Sequence, residues 1–304
     1  KEKGKNLPTK SDRKKRIKLE EVPSSIDIAP DCTLSLNKAI VAKSLPDVPL
    51  SSDSNSATVR PTPEECRLVT AALAKLHPDI ILCNQERQSA KMGTCAIDET
   101  ILDGIVGTIL SQNTTSANSS RAFANLKRRF PTWEQVEVLP DPTELENIIR
   151  SAGLAKTKSE RIHTMLKTIK NERGSVSLEY LHDLPDDKVK TELSRFKGLG
   201  PKTISCVMLF AMHRPEFPVD THVHRICQRL GWTSKIVTSQ SREATYQHLN
   251  AVIPNELKLD LHCLLIAHGK QCHKCAARGR PQFPPPDGSQ LVCPLIKIKV
   301  ANNR

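Results

Sequence analysis

The sequence predicts an all-α protein, and three observations support this fold class. Apolar residues recur at helical spacing in many segments, as in Ile101, Ile105 and Ile109, and such residues lie on one face of a helix. Two of these segments open with helix-start signals, at residues 62–65 and 141–144, where capping residues precede the first turn. No segment of the 304 residues alternates apolar and polar side chains as a strand does.

Residues 1–60 are expected to form a disordered basic tail. They are rich in Ser, Pro, Lys and Asp and have no sustained hydrophobic period, which is typical of segments that cannot bury a core. Nine Lys or Arg stand against two acidic residues in 1–18, so this stretch carries +7 of the net charge of +12. The run Arg13–Lys18 suits a nuclear import signal or a non-specific DNA-binding arm, and a merely solvated tail is an equal alternative.

The first half of the ordered chain contains three predicted helices. Thr62-Pro63-Glu64-Glu65 combines an N-cap, a proline at the first helical position and a glutamate that closes a capping box. A second helix begins near Ile97 and carries two adjacent apolar stripes, which indicate deep burial. The third begins at Thr114 or Ser116 and ends at Arg129, with basic residues on its polar side.

The second half is expected to be helical as well. The motif Asp141-Pro142-Thr143-Glu144 is expected to repeat the capping box and to begin a short helix that ends near Ser151, and Gly153 is a suitable C-terminal cap. The remaining predicted helices span residues 156–171, 186–196, 202–213, 221–230, 241–253 and 255–268.

The segment Phe196–Thr203 joins two of these helices through a tight turn. Gly198 and Gly200 have no Cβ, so another molecule can approach their backbone closely. Pro201 suits the first position of the following helix, and a helix N-terminus attracts phosphate through its unpaired N–H groups and its dipole. Lys202 is unusual in this first turn, because the positive end of the dipole disfavours an ammonium group.

Composition excludes several classes of protein. No run of eighteen apolar residues exists, so we predict no membrane span. No secretory leader is visible, and ten scattered cysteines do not resemble a secreted disulfide framework. Outside the tail a moderate positive charge of about +5 suits an anionic partner.

Gly198-Leu199-Gly200-Pro201-Lys202-Thr203, followed by Val219-Asp220-Thr221-His222, resembles the helix-hairpin-helix and Gly/Pro-Asp loop of endonuclease III-type DNA glycosylases. The resemblance covers about residues 61–275 and includes the family's lysine and aspartate at the family's separation. It implies two helical domains with a central DNA cleft. A six-helix block would span residues 93–214, and the second domain would combine 61–92 with 215–304.

The resemblance makes Lys202 the candidate nucleophile. Removal of a base requires attack at the sugar C1′, and an amine attacks only when neutral, so we expect the site to lower the pKa of Lys202. An exposed lysine that only contacts phosphate is the alternative. Asp220 would deprotonate the amine or a water, or stabilise a cationic sugar, and it could also cap the helix that begins at Thr221. We assign His222 and His224 to structural roles.

Five further residues are implied DNA contacts. Gln112, in the segment Leu110–Asn113, would fill the gap left by an extruded nucleotide. Leu154, in the segment Gly153–Lys156, would wedge between bases, although without the family it would be an ordinary buried leucine. Gly198, Gly200 and Thr203 would hold the phosphate backbone, which gives position rather than sequence specificity.

The family often carries a four-iron, four-sulfur cluster near the C-terminus, bound by four cysteines spaced x6, x2 and x5. This chain departs from that pattern, because Cys263, Cys272, Cys275 and Cys293 are spaced x8, x2 and x17. A cluster with a lengthened loop through Pro284–Pro286, a zinc site completed by His273, and no metal all remain open.

The leading hypothesis is a base-excision-repair DNA glycosylase with associated lyase activity, acting as a monomer on duplex DNA that contains an oxidised or ring-saturated pyrimidine. Removal of a modified cytosine such as 5-methylcytosine is the enzymatic alternative. A helix-hairpin-helix protein that binds DNA without cutting it is the alternative from another class. The expected location is the nucleus, with an organelle as the other possibility.

Overall fold

The computed structural model describes residues 59–89, 100–233, 241–283, 291–296 and 298. These residues all lie within one compact unit, Asp31–Arg304. They form α-helices and short 3₁₀ turns and contain no strand, so the all-α prediction is confirmed. The predicted tail lies outside them except for its last two residues. The α-helices of the described part are Pro63–Leu76 (α1), Pro78–Ser89 (α2), Ile101–Ser111 (α3), Ser116–Arg129 (α4), Trp133–Glu137 (α5), Thr143–Ile148 (α6), Ala155–Arg173 (α7), Asp186–Ser194 (α8), Pro201–Phe210 (α9), Thr221–Arg229 (α10), Arg242–Val252 (α11) and Lys258–Gln271 (α12).

Helix α1 begins with the predicted capping box. The Thr62 hydroxyl accepts a hydrogen bond from the Glu65 amide at 3.2 Å, and the Glu65 carboxylate accepts one from the Thr62 amide at 2.9 Å. Arg60 adds an ion pair to the same carboxylate. Order therefore extends two residues before the predicted start.

The motif at 141–144 was expected to repeat this capping box, and that expectation is wrong. The N-cap of α6 is Pro142, which makes no side-chain cap bond. Instead the Asp141 carboxylate accepts a hydrogen bond from the Thr143 amide at 2.8 Å. The short side chain of an aspartate thus organises a turn before the helix.

Two helices were not predicted from the sequence. Helix α2 buries little of its length, and Leu82 is 47% exposed, so its apolar residues do not form a stripe. Helix α5 has only five residues, which is too short for a helical period to be recognised.

The apolar core of the described residues forms two clusters. The first is built from α3 to α9, and its centre is α3, in which every residue from Ile101 to Leu110 is buried. This confirms the deep burial that the two stripes of α3 predicted. The second contains residues from α1, α10, α11 and α12 and from the segment 293–295. These clusters are consistent with two helical domains, and the division itself stays a prediction.

A buried carboxylate joins elements of both clusters beside the connection between α9 and α10. Glu216 is 1% exposed and pairs with Lys190 of α8 at 2.6 Å. It also accepts hydrogen bonds from Ser205 of α9 and Tyr246 of α11, at 3.2 and 2.7 Å. These bonds fix the segment that ends at Asp220.

None of the helices in the described ranges has the length and apolar character needed to cross a lipid bilayer.

Candidate functional site

Helices α8 and α9 form the predicted hairpin, and the turn between them depends on Gly198. Its φ of +98° is strained for any residue with a side chain. A Cβ at this position would also lie 2.7 Å from Cδ of Arg161, which packs on the turn from α7. The absence of a side chain at Gly198 therefore leaves room for the Arg161 side chain to pack against the turn.

Gly200 has the opposite surroundings. It is exposed, its φ is −82°, and no described atom lies within 4 Å of the position that a Cβ would take. The space in front of the N-terminus of α9 is thus open. A helix N-terminus with an open approach can bind a phosphate group through its N–H groups.

Lys202 lies in the first turn of α9 and is exposed. Its pKa is raised from the ordinary value of 10.5, first by the Cys206 sulfur one turn along the helix and then by the charge of Asp220, against an opposing desolvation. We had expected a lowered pKa. The difference arises because the lysine lies beside the Cys206 sulfur and the Asp220 carboxylate rather than in a positive surrounding, so the free protein holds Lys202 as an ammonium.

Asp220 is the N-cap of α10. Its Oδ1 accepts hydrogen bonds from the amides of His222 and Val223, both at 2.8 Å. Both cap bonds end on one oxygen, so Oδ2 takes no part in the cap. The carboxylate is close enough to Lys202 for its charge to act on the ammonium, after the larger effect of Cys206 on the same pKa. The two predicted residues therefore lie near each other.

His262 of α12 lies behind this pair and was not singled out from the sequence. It is 2% exposed, and within the described part of the chain its Nδ1 has no hydrogen-bond partner. Desolvation lowers its pKa to about 4, and the charges of Asp220 and Lys202 act on it with opposite signs. The His262 imidazole is therefore neutral, and it lies near Asp220 and Lys202.

Gln112 follows α3 and contacts the hairpin directly. Its Nε2 donates hydrogen bonds to the Gly198 carbonyl at 3.1 Å and to the Thr203 hydroxyl at 3.2 Å. Thr203 is buried, and its hydroxyl holds the Gln112 side chain in the free protein. Three of the predicted DNA contacts are consequently neighbours.

Leu154 is the exposed residue at the tip of the turn before α7. It is 60% exposed, and its φ of +49° lies in the left-handed region, which is unfavourable for a branched side chain. An exposed apolar side chain held in a strained conformation is typical of functional sites. The alternative of a buried core leucine does not apply.

Lys158, which was not predicted from the sequence as a site residue, connects the Gln112 and Leu154 segments. This lysine is 1% exposed. Its ammonium donates hydrogen bonds to the carbonyls of Leu110 and Gln112, each at 2.7 Å, and of Ala152 at 2.9 Å. Burial lowers its pKa to about 8. One side chain thus fixes the end of α3 and the turn that presents Leu154.

His222 and His224 have partners that agree with structural roles. The Arg225 guanidinium donates a hydrogen bond to Nδ1 of His222 at 3.0 Å, and His224 lies 3.0 Å from the Thr245 hydroxyl. Desolvation lowers the pKa of both histidines, so neither is favoured as a cation near Asp220.

A second group of chemically active side chains lies at the end of α12. His268, Cys272, Cys275 and Cys293 are all buried, and their ligand atoms lie within 4.8 Å of one another. Cys275 Sγ is 3.6 Å from Cys293 Sγ, which in turn is 3.4 Å from His268 Nε2. This group can bind a metal.

The composition of the group differs from the sequence prediction in one ligand. Cys263 lies against α2 instead, beside Asn84, Arg87 and Cys83. His268 occupies the fourth position, and His273 is not a member. The lengthened loop through Pro284–Pro286 lies outside the described residues.

A four-iron, four-sulfur cluster fits this group poorly. Such clusters are held by four cysteine thiolates, whereas here the donors are three sulfurs and one imidazole nitrogen. The cluster also places eight atoms between its ligands, so the ligand atoms lie farther apart than around a single ion. All four ligand atoms lie within 4.8 Å of one another, and the separations of 3.6 and 3.4 Å are close to those of ligands that share one ion.

The sequence contained a usable signal for the missed residues. Lys158 falls on the apolar face of α7 that also holds Ile162, Met165 and Ile169, and His268 follows the buried Leu264 and Leu265 of α12. A charged or titratable residue on a buried face must find partners there. The identity of those partners depends on tertiary contacts that spacing does not reveal.

Comparison with known proteins agrees with the predicted resemblance. Residues 106–255 match the family model described as HhH-GPD superfamily base excision DNA repair protein. An Arabidopsis thaliana protein named "Putative DNA glycosylase At3g47830" is 44% identical over 261 residues, which cover 78% of this chain and 86% of that protein.

Two further comparisons reach more distant proteins. The "DNA glycosylase/AP lyase ROS1" of Arabidopsis thaliana is 34% identical over 169 residues, which cover 48% of this chain but only 12% of ROS1. A solved non-covalent endonuclease III–DNA complex matches with a TM-score of 0.56 at 24% identity, over 80% of this chain and 99% of that chain. The structural likeness concerns the fold.

Proposed function

Because this chain belongs to the HhH-GPD superfamily of base excision DNA repair proteins and is a DNA glycosylase of that family, we propose that it removes a modified pyrimidine from duplex DNA and then cleaves the strand as a lyase. The observation that carries this proposal is that Lys202 and Asp220 lie at the N-termini of α9 and α10, near enough for the charge of Asp220 to act on the Lys202 ammonium. The similarity to a relative named as a glycosylase and AP lyase supports the second activity.

The reaction begins with a proton transfer. Lys202 is an ammonium in the free protein, so it must lose a proton before its nitrogen can attack the sugar C1′. Oδ2 of Asp220 takes no part in the helix cap, and we assign it the role of proton acceptor. The carboxylate also stabilises the positive charge that develops on the sugar as the base departs.

The covalent steps follow from amine chemistry. As the Lys202 nitrogen bonds to C1′, the glycosidic bond breaks and the base leaves with the bonding electrons and a proton. The ring C1′–O4′ bond then opens, O4′ takes a proton, and a Schiff base forms between C1′ and the lysine. Loss of a proton from C2′ expels the 3′ phosphate, and water finally releases the enzyme.

Access to C1′ requires the nucleotide to leave the base stack. The open N-terminus of α9 at Gly200 is suited to hold a phosphate group, and the exposed Leu154 is suited to enter the stack. Gln112, held by Gly198 and Thr203, would occupy the space of the extruded nucleotide. Gln112 contacts the hairpin directly, and Lys158 links Gln112 to Ala152 in the turn before Leu154.

By resemblance, an oxidised or ring-saturated pyrimidine is the leading substrate, and 5-methylcytosine is the alternative. The basic run Arg13–Lys18, which lies outside the described residues, supports a nuclear location. A fluorescent fusion with and without this run separates nuclear from organellar residence.

Borohydride trapping on a panel of duplexes tests the proposal. Oligonucleotides that each carry one modified base are incubated with the protein and borohydride, and covalent adducts are resolved on a denaturing gel. We expect an adduct with at least one modified pyrimidine. Lys202→Gln should abolish it, whereas Lys197→Gln, a change of an exposed lysine in the same turn, should retain it at saturating DNA.

Binding without an adduct or base release on any duplex would identify a non-catalytic DNA-binding protein. Base release without an adduct would retain the glycosylase and remove the lyase assignment. An adduct with Lys202→Gln would contradict the assigned nucleophile.

A further inference from the structure

We propose that His268, Cys272, Cys275 and Cys293 bind a single structural Zn²⁺ ion in place of the iron–sulfur cluster that the family resemblance implies. This zinc site takes no part in the proposed DNA chemistry, and it can be tested without DNA. The three sulfurs and one nitrogen form a donor set that is common for structural zinc.

The separations between the ligand atoms carry the assignment. Zinc lies about 2.3 Å from sulfur and about 2.0 Å from imidazole nitrogen in tetrahedral sites. Ligands at tetrahedral angles are then about 3.8 Å apart for two sulfurs and about 3.5 Å for sulfur and nitrogen. The observed values are 3.6 Å for Cys275 and Cys293 and 3.4 Å for His268 and Cys293.

The surroundings of the group agree with a closed site. The four residues are between 0% and 6% exposed, so four protein ligands complete the coordination and no position is open to water or substrate. The turn between Cys272 and Cys275 is held by hydrogen bonds that the amides of Cys275 and Ala276 donate to the Cys272 carbonyl, at 3.0 and 2.8 Å. Cysteines with two residues between them on such a turn can bind one ion together.

His268 also has the second contact that metal-binding histidines make. Its Nδ1 lies 3.2 Å from Nε2 of His77, the residue that ends α1. A bond through the other ring nitrogen fixes the orientation of a ligand histidine. The same contact links α1 to the metal site.

The ion would connect three parts of the second core cluster to α10. Cys293 lies in the segment that follows residues 284–290, and His268 lies on α12. The Cys275 carbonyl accepts a hydrogen bond from Arg225 of α10 at 2.8 Å, and α10 is the helix that Asp220 caps. The ion would thereby stabilise the position of α10, the helix that carries the proposed catalytic carboxylate at its N-terminus.

Metal analysis of the purified full chain tests the assignment directly. We expect one zinc per chain, no iron, and no visible iron–sulfur absorption. Replacement by Co²⁺ should give the absorption bands of tetrahedral cobalt with thiolate ligands. Removal of the metal by a chelator should lower the melting temperature, and added zinc should restore it.

Variants identify the ligands. Cys293→Ser should lower zinc affinity at least 100-fold in competition with a chromophoric chelator, and His77→Phe should lower it 10- to 100-fold. Cys263→Ser is the matched control, because this cysteine lies against α2, and it should leave affinity unchanged. If Cys293→Ser does not fold, the cobalt spectrum and the zinc content of the unaltered protein still show whether the group binds zinc.

Four irons per chain would overturn the proposal. So would a metal-free protein with the same melting temperature before and after zinc addition, a disulfide within the group, or zinc that is lost from Cys263→Ser and retained by Cys293→Ser.

Discussion

Replacement of Lys158 by methionine tests how much this buried lysine contributes to the stability of the fold and to the arrangement of the DNA-contacting segments. Methionine has a similar length and lacks the ammonium, so the change removes three hydrogen bonds and one buried charge. The carbonyls of Leu110 and Ala152 are bonded in buried contacts, and that of Gln112 in a partly buried one. Water can therefore replace the lysine at Gln112 alone.

Two opposing contributions set the magnitude at neutral pH. Each buried carbonyl left without a donor costs about 1–3 kcal/mol, which gives about 2–6 kcal/mol for two. The change also removes a desolvated ammonium, whose pKa falls from 10.5 to about 8. This shift corresponds to at most about 3 kcal/mol. With this offset of about 3 kcal/mol, we expect the effect of Lys158→Met at pH 7 to lie between a gain of about 1 kcal/mol and a loss of about 3 kcal/mol in the free energy of unfolding.

The penalty should grow with pH, because a lowered pKa means that the folded state releases its proton first. Between pH 8 and 10.5 the unfolded chain binds more protons than the folded chain, so the unaltered protein gains stability relative to the variant as pH rises. A neutral amine still has two donors for the two buried carbonyls. The penalty should therefore approach about 2–6 kcal/mol near pH 10.

Urea unfolding followed by circular dichroism at pH 7 and pH 9.5 measures this difference. Lys156→Met is the matched control, since Lys156 is exposed on the same helix, and its effect should stay within about 0.5 kcal/mol. Base extrusion, followed by the fluorescence of 2-aminopurine in the duplex, should be impaired in Lys158→Met more than DNA binding. An equal penalty at both pH values, or equal effects of the two variants, would refute the reasoning.

Three further predictions concern stability and DNA processing. Leu154→Gly should relieve the left-handed strain and raise the free energy of unfolding by up to about 1 kcal/mol, while base release from duplex DNA falls; a loss of stability or unchanged base release would contradict it. Asp220→Asn should keep the helix cap and Asp220→Ala should lose about 1 kcal/mol, and both should lose glycosylase activity; equal melting temperatures or an active Asn variant would argue against the dual role. Gly198→Ala should lower the free energy of unfolding by about 1–3 kcal/mol, because of the positive φ and the Arg161 contact. Gly200→Ala should keep its melting temperature and weaken DNA binding in a fluorescence anisotropy titration. A Gly200→Ala protein less stable than Gly198→Ala would be inconsistent with the hairpin geometry.

Local signals made most of the fold predictable. Helix α1 follows from four residues that cap each other, and α3 follows from two adjacent apolar stripes. The hairpin follows from two glycines and a proline at fixed positions. In each example the determining interactions lie within a few residues of one another in the chain.

The error in the metal ligands has a different cause, because it depends on contacts between distant segments. Cys263 and His268 are five residues apart on α12, and five residues turn a helix by about 500°, so the two side chains point about 140° apart. Only the position of Cys293 shows which of these faces lies at the metal site. The pKa of Lys202 depends first on Cys206, one turn along the same helix, and then on Asp220, whose approach in space is not encoded in the lysine's own surroundings.

Mapping the site of covalent attachment tests the central claim most directly. The adduct trapped by borohydride is digested with a protease and a nuclease, and the modified lysine is identified by mass spectrometry. We predict that the sugar remnant is carried by Lys202 and that Asp220→Asn reduces its yield. A remnant on another lysine, or an adduct yield unaffected by Asp220→Asn, would contradict the claim that these two side chains act together.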